Sequence, residues 1–174
     1  MDHVATGSNW GSAVAGLTFT ALSAPFARSL VSGADGSTVS TAELKTAYEK
    51  YNDADTVDVN LIIAGKGNAT HIDNLITIAE NRKDAIVFVS PERSDVVNVT
   101  NSTTQTTNVK GFFDSIRSSS YAVFDSGYKY TYDKYNDVFR YVPLNGDIAG
   151  LAARTDLIAD SWFSPAGFNR GVIR

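Results

Sequence analysis

The spacing of apolar residues changes several times along residues 42–124, and these changes predict helices that alternate with strands. Apolar residues recur at helical spacing from Leu44 to Tyr51, after a candidate N-cap at Ser40 or Thr41. The apolar run at 57–64 instead predicts a strand that is buried on both faces. The same reasoning predicts helices at 42–52, 70–82 (with Thr70 as the cap), 109–119 and 146–160, and strands at 57–64, 85–89 and 121–125.

The order of these elements predicts an α/β fold, a layered sheet of mainly parallel strands with flanking helices. Beyond it, Tyr128, Tyr130 and Tyr132 share one face of a further strand, and the chain returns at 138–142 after a polar turn. This pattern predicts an antiparallel hairpin in the C-terminal part of the chain. The predicted core consists of Leu61, Ile63, Ile76, Val87, Val89, Phe112, Ile116, Phe124, Ile148 and Leu151.

Two segments lack a clear helix or strand pattern. Residues 1–41 are rich in Gly, Ser, Ala and Thr, and they predict an extended N-terminal segment. Residues 90–108 are polar and predict a long surface loop. The remaining residues, 42–174, are predicted to form a single α/β domain.

The 174-residue chain carries a net charge of −4 and has a sequence pI of about 5.0. Nucleic acids and anionic membranes both attract basic surfaces, so this balance argues against either partner. The chain contains no cysteine, which excludes disulfides and thiol chemistry. No window reaches the roughly 18 apolar residues of a membrane span, and the first ten residues lack the character of a signal peptide.

Candidate chemistry is sparse along the chain. The loop at 64–70 is placed like a phosphate-binding loop, but its spacing differs from the P-loop pattern GxxxxGK followed by Ser or Thr, which favours a simple tight turn. No GxSxG motif is present, so a serine hydrolase site is not indicated. Metal sites are equally weakly indicated by the remaining candidates: the acidic turn with Asp53, Asp55 and Asp58 lacks a calcium-loop pattern, and His3 and His71 lack a second ligand at zinc spacing.

The ladder of Tyr128, Tyr130 and Tyr132 has two interpretations. Stacked aromatic rings can bind nucleic-acid bases or sugars, and two lysines lie nearby. Aromatic residues are also enriched in protein cores and at interfaces. The acidic composition favours the second interpretation, packing at a sheet face or at a subunit contact.

Two long blocks in the last third of the chain resemble the tail sheath proteins of contractile-tailed bacteriophages of the myovirus type. The first leads from the tyrosine ladder into the stretch VPLNGDIAG, and the second is WFSPAGFNRG, in the order found in the family. Residues 42–120 agree in α/β character but add no motif of their own. The resemblance marks these residues as a structural family signature: Tyr128, Tyr130, Tyr132, Pro143, Gly146, Gly150, Trp162, Pro165, Gly167, Arg170 and Gly171.

The resemblance implies a structural protein with no catalytic residues and no cofactor. Tail sheath proteins polymerise as a helical jacket around the tail tube. When the baseplate triggers it, the jacket contracts and drives the tube through the host envelope. The implied partners are other sheath subunits, the tail tube and the baseplate, with no nucleic acid and no membrane. The implied location is the virion tail, after assembly in the host cytoplasm.

In the family, the second block leads into a C-terminal assembly domain. Because the chain stops at Arg174, shortly after Gly171, we expect it to be a piece of a longer sheath protein and to be monomeric in isolation. The alternative is a small flavodoxin-like enzyme or ligand-binding module, with its site in the loops at 65–68 and 90–93. A pocket with converging polar groups at those loops would favour this alternative.

Overall fold

The computed structural model describes residues 31–34, 36–160, 162–168 and 170–173. The chain divides into two compact units, residues 1–38 and 39–174, and every helix and strand that the structure describes lies in the second unit. The extended segment predicted at 1–41 therefore falls largely outside the described residues.

The second unit alternates helices and strands, as the apolar spacing predicts. Helix α1 continues into a single 3₁₀ turn at Glu49–Tyr51. The elements in chain order are α1 (Thr41–Tyr48), β1 (Leu61–Ile63), α2 (Ala69–Arg82), β2 (Ile86–Val89), α3 (Arg93–Val96), α4 (Ser102–Asp114), β3 (Ala122–Phe124), β4 (Tyr128–Asp133), β5 (Val138–Pro143) and α5 (Asn145–Ile158).

The strands form two separate sheets. β1, β2 and β3 pair in parallel in that order, with Ile62 opposite Val87 and Val87 opposite Ala122. The connections that contain α2 and α4 return the chain to the start of each next strand, which is what parallel pairing requires. β4 and β5 form an antiparallel pair in which Tyr128 lies opposite Pro143. The predicted α/β class, the parallel strands and the C-terminal hairpin are confirmed.

Local side chains decide where α1 and α2 begin. At Ser40, the backbone N–H and the side chain both bond Glu43, a capping box that supports one of the two predicted N-caps of α1. The predicted cap of α2 at Thr70 is wrong. Asn68 is the cap, because its side-chain oxygen accepts a hydrogen bond of 2.9 Å from the backbone of His71. α2 ends at Lys83, which adopts the left-handed conformation with φ 65°.

The core lies mainly between the parallel sheet and α2. Residues of α2 supply its fully buried centre, and β2 supplies Val87 and Val89. On the opposite face of the sheet, α5 covers Phe88 with Ala149. The main cluster consists of Ile62, Ala64, Ile72, Leu75, Ile76, Ile78, Ala79, Ala85, Val87, Val89 and Ile116.

Two residues of the predicted core are wrong. Ile63 is 46% exposed and Phe124 is 37% exposed, because they end the outer strands β1 and β3 of a short sheet. Four of the others, Ile76, Val87, Val89 and Ile116, are buried as predicted. The remaining four are only half-buried: Leu61, Phe112, Ile148 and Leu151.

Two predicted boundaries also need correction. Part of the loop expected at 90–108 is helical, since α3 occupies Arg93–Val96 and α4 begins at Ser102, behind an N-cap at Asn101. The strand expected at 57–64 pairs only at Leu61–Ile63. Its first residues are held elsewhere, because the carbonyl oxygens of Val57 and Val59 accept hydrogen bonds from Arg82.

Candidate interaction surface

One face of the hairpin is a ladder of exposed aromatic rings. The antiparallel register places Tyr130 opposite Tyr141 and Tyr132 opposite Phe139, and opposed residues share a face. Ring centroids lie 4.6 Å apart for Tyr130 and Tyr141, and 5.1 Å apart for Tyr130 and Phe139. Tyr130 is 60% exposed and Phe139 is 59% exposed. The rings therefore pack on one another across the strands and leave their outer faces uncovered within the described residues.

The opposite face of the hairpin is polar and ties it to α5. Lys129 and Asp147 form an ion pair of 2.6 Å between β4 and the first turn of α5. Arg140 and Asp133 form a second pair, of 2.9 Å, across the strands. This face therefore anchors the hairpin through charge, while the aromatic face remains open.

The tip of the hairpin is closed by Asp133. One of its carboxylate oxygens accepts hydrogen bonds from the backbone N–H groups of Tyr135 and Asn136, and the side chain of Asn136 binds the other oxygen at 2.7 Å. These bonds, led by that from the Asn136 side chain, lower the pKa of Asp133. The turn is completed by Asp137, which adopts a positive φ of 53°. The polar turn predicted between the two strands is thus a specific, side-chain-bonded structure.

The base of the hairpin meets the carboxyl ends of the parallel strands in a buried polar cluster. Ser90, after β2, donates a hydrogen bond of 2.6 Å to Asp125, after β3. The backbone N–H of Asn145 donates to the Ser90 hydroxyl at 3.0 Å, and the Asn145 amide donates to the Gly65 carbonyl at 2.8 Å. Burial raises the pKa of Asp125, although hydrogen bonds from Ser90 and Gly127 act in the opposite direction. We call Ser90, Asp125, Asn145 and the Gly65 carbonyl the strand-end cluster.

Tyr128 joins this cluster to the ladder. Its hydroxyl donates a hydrogen bond of 3.0 Å to the carbonyl of Pro91. Burial, followed by the negative charge of Asp125, raises the pKa of Tyr128. The first tyrosine of the predicted ladder is therefore an anchor, whereas the next two are displayed on the surface.

The second sequence block, WFSPAGFNRG, folds on itself. The backbone N–H of Gly171 donates to the Gly167 carbonyl at 2.7 Å, and Gly167 adopts a φ of 100° that favours glycine. A side chain at Gly171 would lie only 3.0 Å from the Gly167 backbone, which explains a glycine there. Arg170 closes the turn by donating to the Ser164 carbonyl at 3.0 Å. The turn leaves the ring of Trp162 80% exposed.

Three curated proteins align with most of this chain, and each is named tail sheath protein. That of Enterobacteria phage T4 is 40% identical over 150 residues, which cover 78% of this chain and 23% of the relative. That of Vibrio phage KVP40 is 41% identical over 143 residues, covering 71% and 21%. That of Salmonella phage ViI is 37% identical over 126 residues, covering 72% and 20%. The resemblance to phage tail sheath proteins is confirmed.

The chain spans between 20% and 23% of the length of these three sheath proteins. No family model matches it. The alignments therefore cover only one segment of the much longer sheath proteins. They do not by themselves assign the roles of whole sheath proteins to this chain.

The sheath signature residues fall into three groups in the structure, with Gly150 apart from them. Tyr128, Pro143 and Gly146 lie at the base of the hairpin and the start of α5, next to the strand-end cluster. Gly150 is exposed on α5 with open space around its α-carbon, and nothing in the described structure explains a glycine there. The second group is the exposed pair Tyr130 and Tyr132, which lies on the same face of the hairpin as Tyr128. The third group is the second sequence block, which contains its own turn: Trp162, Pro165, Gly167, Arg170 and Gly171.

Sequence reasoning missed most of the strand-end cluster. Ser90 directly follows the strand predicted at 85–89, Asp125 ends the strand predicted at 121–125, and the carboxyl ends of parallel strands share one edge of the sheet. That signal was available. Arg93 was missed as well: its guanidinium lies 5.6 Å from the centroid of the Tyr141 ring and adds a cation to the edge of the ladder.

The loops proposed for the enzyme alternative are packed by α5. Asn145, at the start of α5, is fully buried, and its side-chain amide donates a hydrogen bond to the Gly65 carbonyl. The side-chain oxygen of Asn68 accepts a hydrogen bond from the backbone N–H of His71. A cavity of about 360 Å³ lies elsewhere, between α1 and β1, with Tyr48, Tyr51 and Ile63 in its walls. The converging groups at the strand ends thus bond one another and the start of a helix.

Of the remaining candidates, His3 lies outside the described residues, and Asp53 and His71 occupy ordinary structural positions. Asp53 accepts hydrogen bonds from the backbone of Asp55 and the hydroxyl of Thr56, as the first residue of a turn. His71 lies in the first turn of α2, as predicted. Within the described ranges, no three His, Asp or Glu side chains are grouped to hold a metal ion. Among those same residues, no helix is both long and apolar enough to cross a membrane.

Proposed function

We propose that this chain is a structural segment of a contractile tail sheath subunit, and that the exposed aromatic face of β4 and β5 contacts a neighbouring subunit. The strongest support is that a segment similar to tail sheath proteins exposes two of its signature tyrosines to solvent. The segment aligns with three tail sheath proteins, and its signature tyrosines Tyr130 and Tyr132 stand outside the core. Exposed clusters of aromatic residues are typical of protein interfaces.

In this proposal the intact protein forms a helical jacket around the tail tube, and the baseplate triggers its contraction. The jacket is part of the virion and assembles in the host cytoplasm. The segment turns over no substrate and needs no cofactor. Its contribution is an α/β body that carries the aromatic face.

The charge around the ladder favours a protein partner over a nucleic acid. Arg93 lies against Tyr141, but Asp133 and Asp137 lie at the tip of the hairpin, and the whole chain carries a net charge of −4. Proteins that bind single-stranded nucleic acid combine stacking aromatics with a positively charged groove. The ladder supplies stacked aromatic rings, but no positively charged groove accompanies it among the described residues.

The isolated chain is expected to be monomeric. Four aromatic side chains that are about half exposed offer on the order of 400 Å², whereas a stable interface buries about 800 Å² on each partner. Sedimentation at micromolar concentrations measures the oligomeric state directly. Stable hexamers or tubes formed by residues 1–174 would show that this segment carries the whole assembly interface, contrary to this expectation.

A chimera tests the proposed function. The aligned segment of the phage T4 tail sheath protein is replaced by this chain, and the chimera is supplied to phage whose own sheath gene is inactive. We expect contractile tails in electron micrographs and plaques on the host. A folded, soluble chimera that never enters tails would contradict the sheath assignment.

A matched pair of variants tests the aromatic face in the same chimera. The double variant Tyr130→Ser, Phe139→Ser removes two outward rings, and Val138→Ser changes an exposed residue on the opposite face of the same hairpin. We expect the double variant to lose tail assembly and the control to keep it. If the double variant assembles as well as the control, the ladder is not a subunit contact.

A further inference from the structure

The two faces of the parallel sheet are covered by different chemistry. On one face, α2 contributes the fully buried apolar residues Ile72, Leu75 and Ile76. On the other, the buried residues of α5 are Asn145, Ala149 and Thr155. Apolar burial stabilises in proportion to the area removed from water. The helix α2 is therefore held mainly by apolar burial, whereas α5 buries less apolar area, from Ala149 and half-buried neighbours, and adds a small number of polar contacts.

The strand-end cluster supplies those contacts, and its hydrogen bonds have a fixed direction. A backbone N–H can only donate, so the Ser90 hydroxyl accepts from Asn145 and must give its own hydrogen to Asp125. Both Ser90 and Asn145 are fully buried. Removing one side chain leaves at least one other buried group without its partner, which favours a cluster that forms and breaks as a unit.

The hairpin and α5 are joined to each other by an ion pair, a backbone hydrogen bond and a short connection, while α5 also packs on β1 and β2. Lys129 and Asp147 pair at 2.6 Å, and the backbone N–H of Leu144 donates to the Gly127 carbonyl at 3.2 Å. β5 ends at Pro143, and α5 begins two positions later at Asn145. With such a short connection, neither element can turn far without the other.

We propose that the strand-end cluster is a releasable joint, on which the hairpin and α5 move as one body relative to the three-stranded sheet. When the cluster is formed, the aromatic ladder projects in one direction from the sheet. When it breaks, the ladder can change its direction without unfolding the core between the sheet and α2. The inference concerns this chain by itself and does not depend on the sheath assignment.

The charge at the joint limits how firmly it closes. Asp125 takes part in none of the ion pairs that the described residues form. The ionisable groups facing Tyr128 beside it are the carboxylates of Asp125, Glu92 and Asp95 and the single guanidinium of Arg93. A half-buried carboxylate with hydrogen bonds but no cation is only partly compensated, so the closed joint is not deeply favoured.

Hydrogen exchange of residues 1–174, followed by mass spectrometry, tests the joint. In the unmodified chain, peptides from Tyr128–Pro143 and Asn145–Ile158 should share one opening free energy, lower than that of Ala69–Arg82. Ser90→Ala should speed exchange in both peptides by about tenfold, the effect of losing one buried hydrogen-bond network, and leave Ala69–Arg82 unchanged. Asn145→Ala, which leaves the bond between Ser90 and Asp125 in place, should act on the same two peptides in the same direction.

Thr155→Val is the matched control. Thr155 is a buried polar residue of the same helix, but its hydroxyl bonds the Leu151 carbonyl within α5. This variant should affect α5 alone. The joint is refuted if Ser90→Ala and Asn145→Ala speed α5 without the hairpin. It is equally refuted if α5 in the unmodified chain opens only together with α2.

Discussion

Arg82 donates two hydrogen bonds to the carboxylate of Asp84, from Nε and Nη2, each 2.9 Å long. The arginine is the last residue of α2, and its side chain is completely buried. Its remaining donors reach four backbone carbonyls in the segment between α1 and β1, those of Tyr51, Asp53, Val57 and Val59. One guanidinium therefore ties the end of α2 to a stretch of chain that has no ladder partners of its own.

Arg82→Ala is expected to lower the free energy of unfolding by about 1.5–3 kcal/mol, because it removes hydrogen bonds from one buried guanidinium to four backbone carbonyls and to Asp84. Urea denaturation measures the change. The control is Arg117→Ala, whose side chain is 43% exposed and pairs with Glu80 at 3.0 Å. An exposed pair of this kind contributes about 0–1 kcal/mol. Equal losses for the two variants would show that the Arg82 contacts carry no special weight.

Two leucines, one in α2 and one in α5, differ sharply in burial. Leu75 is completely buried under the sheet, whereas Leu157 is 86% exposed. Leu75→Ala is expected to cost about 2–5 kcal/mol through lost burial and the cavity left behind. Leu157→Ala should stay within about 0.5 kcal/mol. Thermal unfolding of the two variants compares them directly, and a large loss for Leu157→Ala would place that residue in an interior that the structure does not show.

His71 should make the chain less stable in mild acid. Burial lowers the pKa of His71 in the folded state, and its ring packs 5.3 Å from that of Tyr48. The unfolded state, with a histidine pKa of about 6.5, therefore binds the proton first. The stability that neutral His71 contributes is present above that value and is lost as the pH falls below it.

We expect the free energy of unfolding to decrease between pH 7 and pH 5, and to decrease less in His71→Phe, which keeps a ring in the same place. Denaturation curves at several pH values provide the measurement. His3 is present in both proteins and cannot account for a difference between them. Identical slopes would mean that the pKa of His71 is the same in the folded and unfolded states, contrary to the lowering by burial.

Lys83 ends α2 in the left-handed conformation, φ 65°, which costs a residue with a side chain about 1–2 kcal/mol. Lys83→Gly removes this cost, but glycine also increases the conformational entropy of the unfolded chain, which lowers the stability of the folded state by about 0.4–1 kcal/mol. The net expectation is a gain of roughly 0.5–1 kcal/mol in the free energy of unfolding. Lys45→Gly, inside α1, should instead lose about 1 kcal/mol. A loss in both variants would contradict the left-handed ending of α2.

The elements whose side chains face one core were predictable from sequence. The spacing from Leu44 to Tyr51 and the apolar residues of α2 gave both helices nearly their observed limits, since burial on one face imposes a helical period. The hairpin was predicted closely because strands of alternating residues flank a polar turn. In each case, the information lies within about fifteen neighbouring positions.

The missed features depend on residues that lie far apart in the chain. The first turns of α4 contain only Ser, Thr, Gln and Asn, so the helix predicted at 109–119 overlaps only the second half of α4. Arg82 looks like an ordinary surface residue at a helix end until the segment at 51–59 folds over it. Ser90 and Asp125 resemble turn residues until α5 covers them. The candidate surface was predictable as a tyrosine ladder, whereas the cluster that orients it was not.

The bond between Asn145 and Gly65 spans 80 positions, whereas β4 and β5 meet across one short turn. Hairpins form in about 1–10 microseconds, while contacts between distant residues wait for the intervening chain to fold. The hairpin should therefore form before the strand-end cluster that fixes its position. Newly made chains would then pass through a stage in which the aromatic rings are exposed on a hairpin that is not yet bound to the parallel sheet. Crowding during synthesis would then favour errors at this stage, and the closing of the strand-end cluster would mark its end.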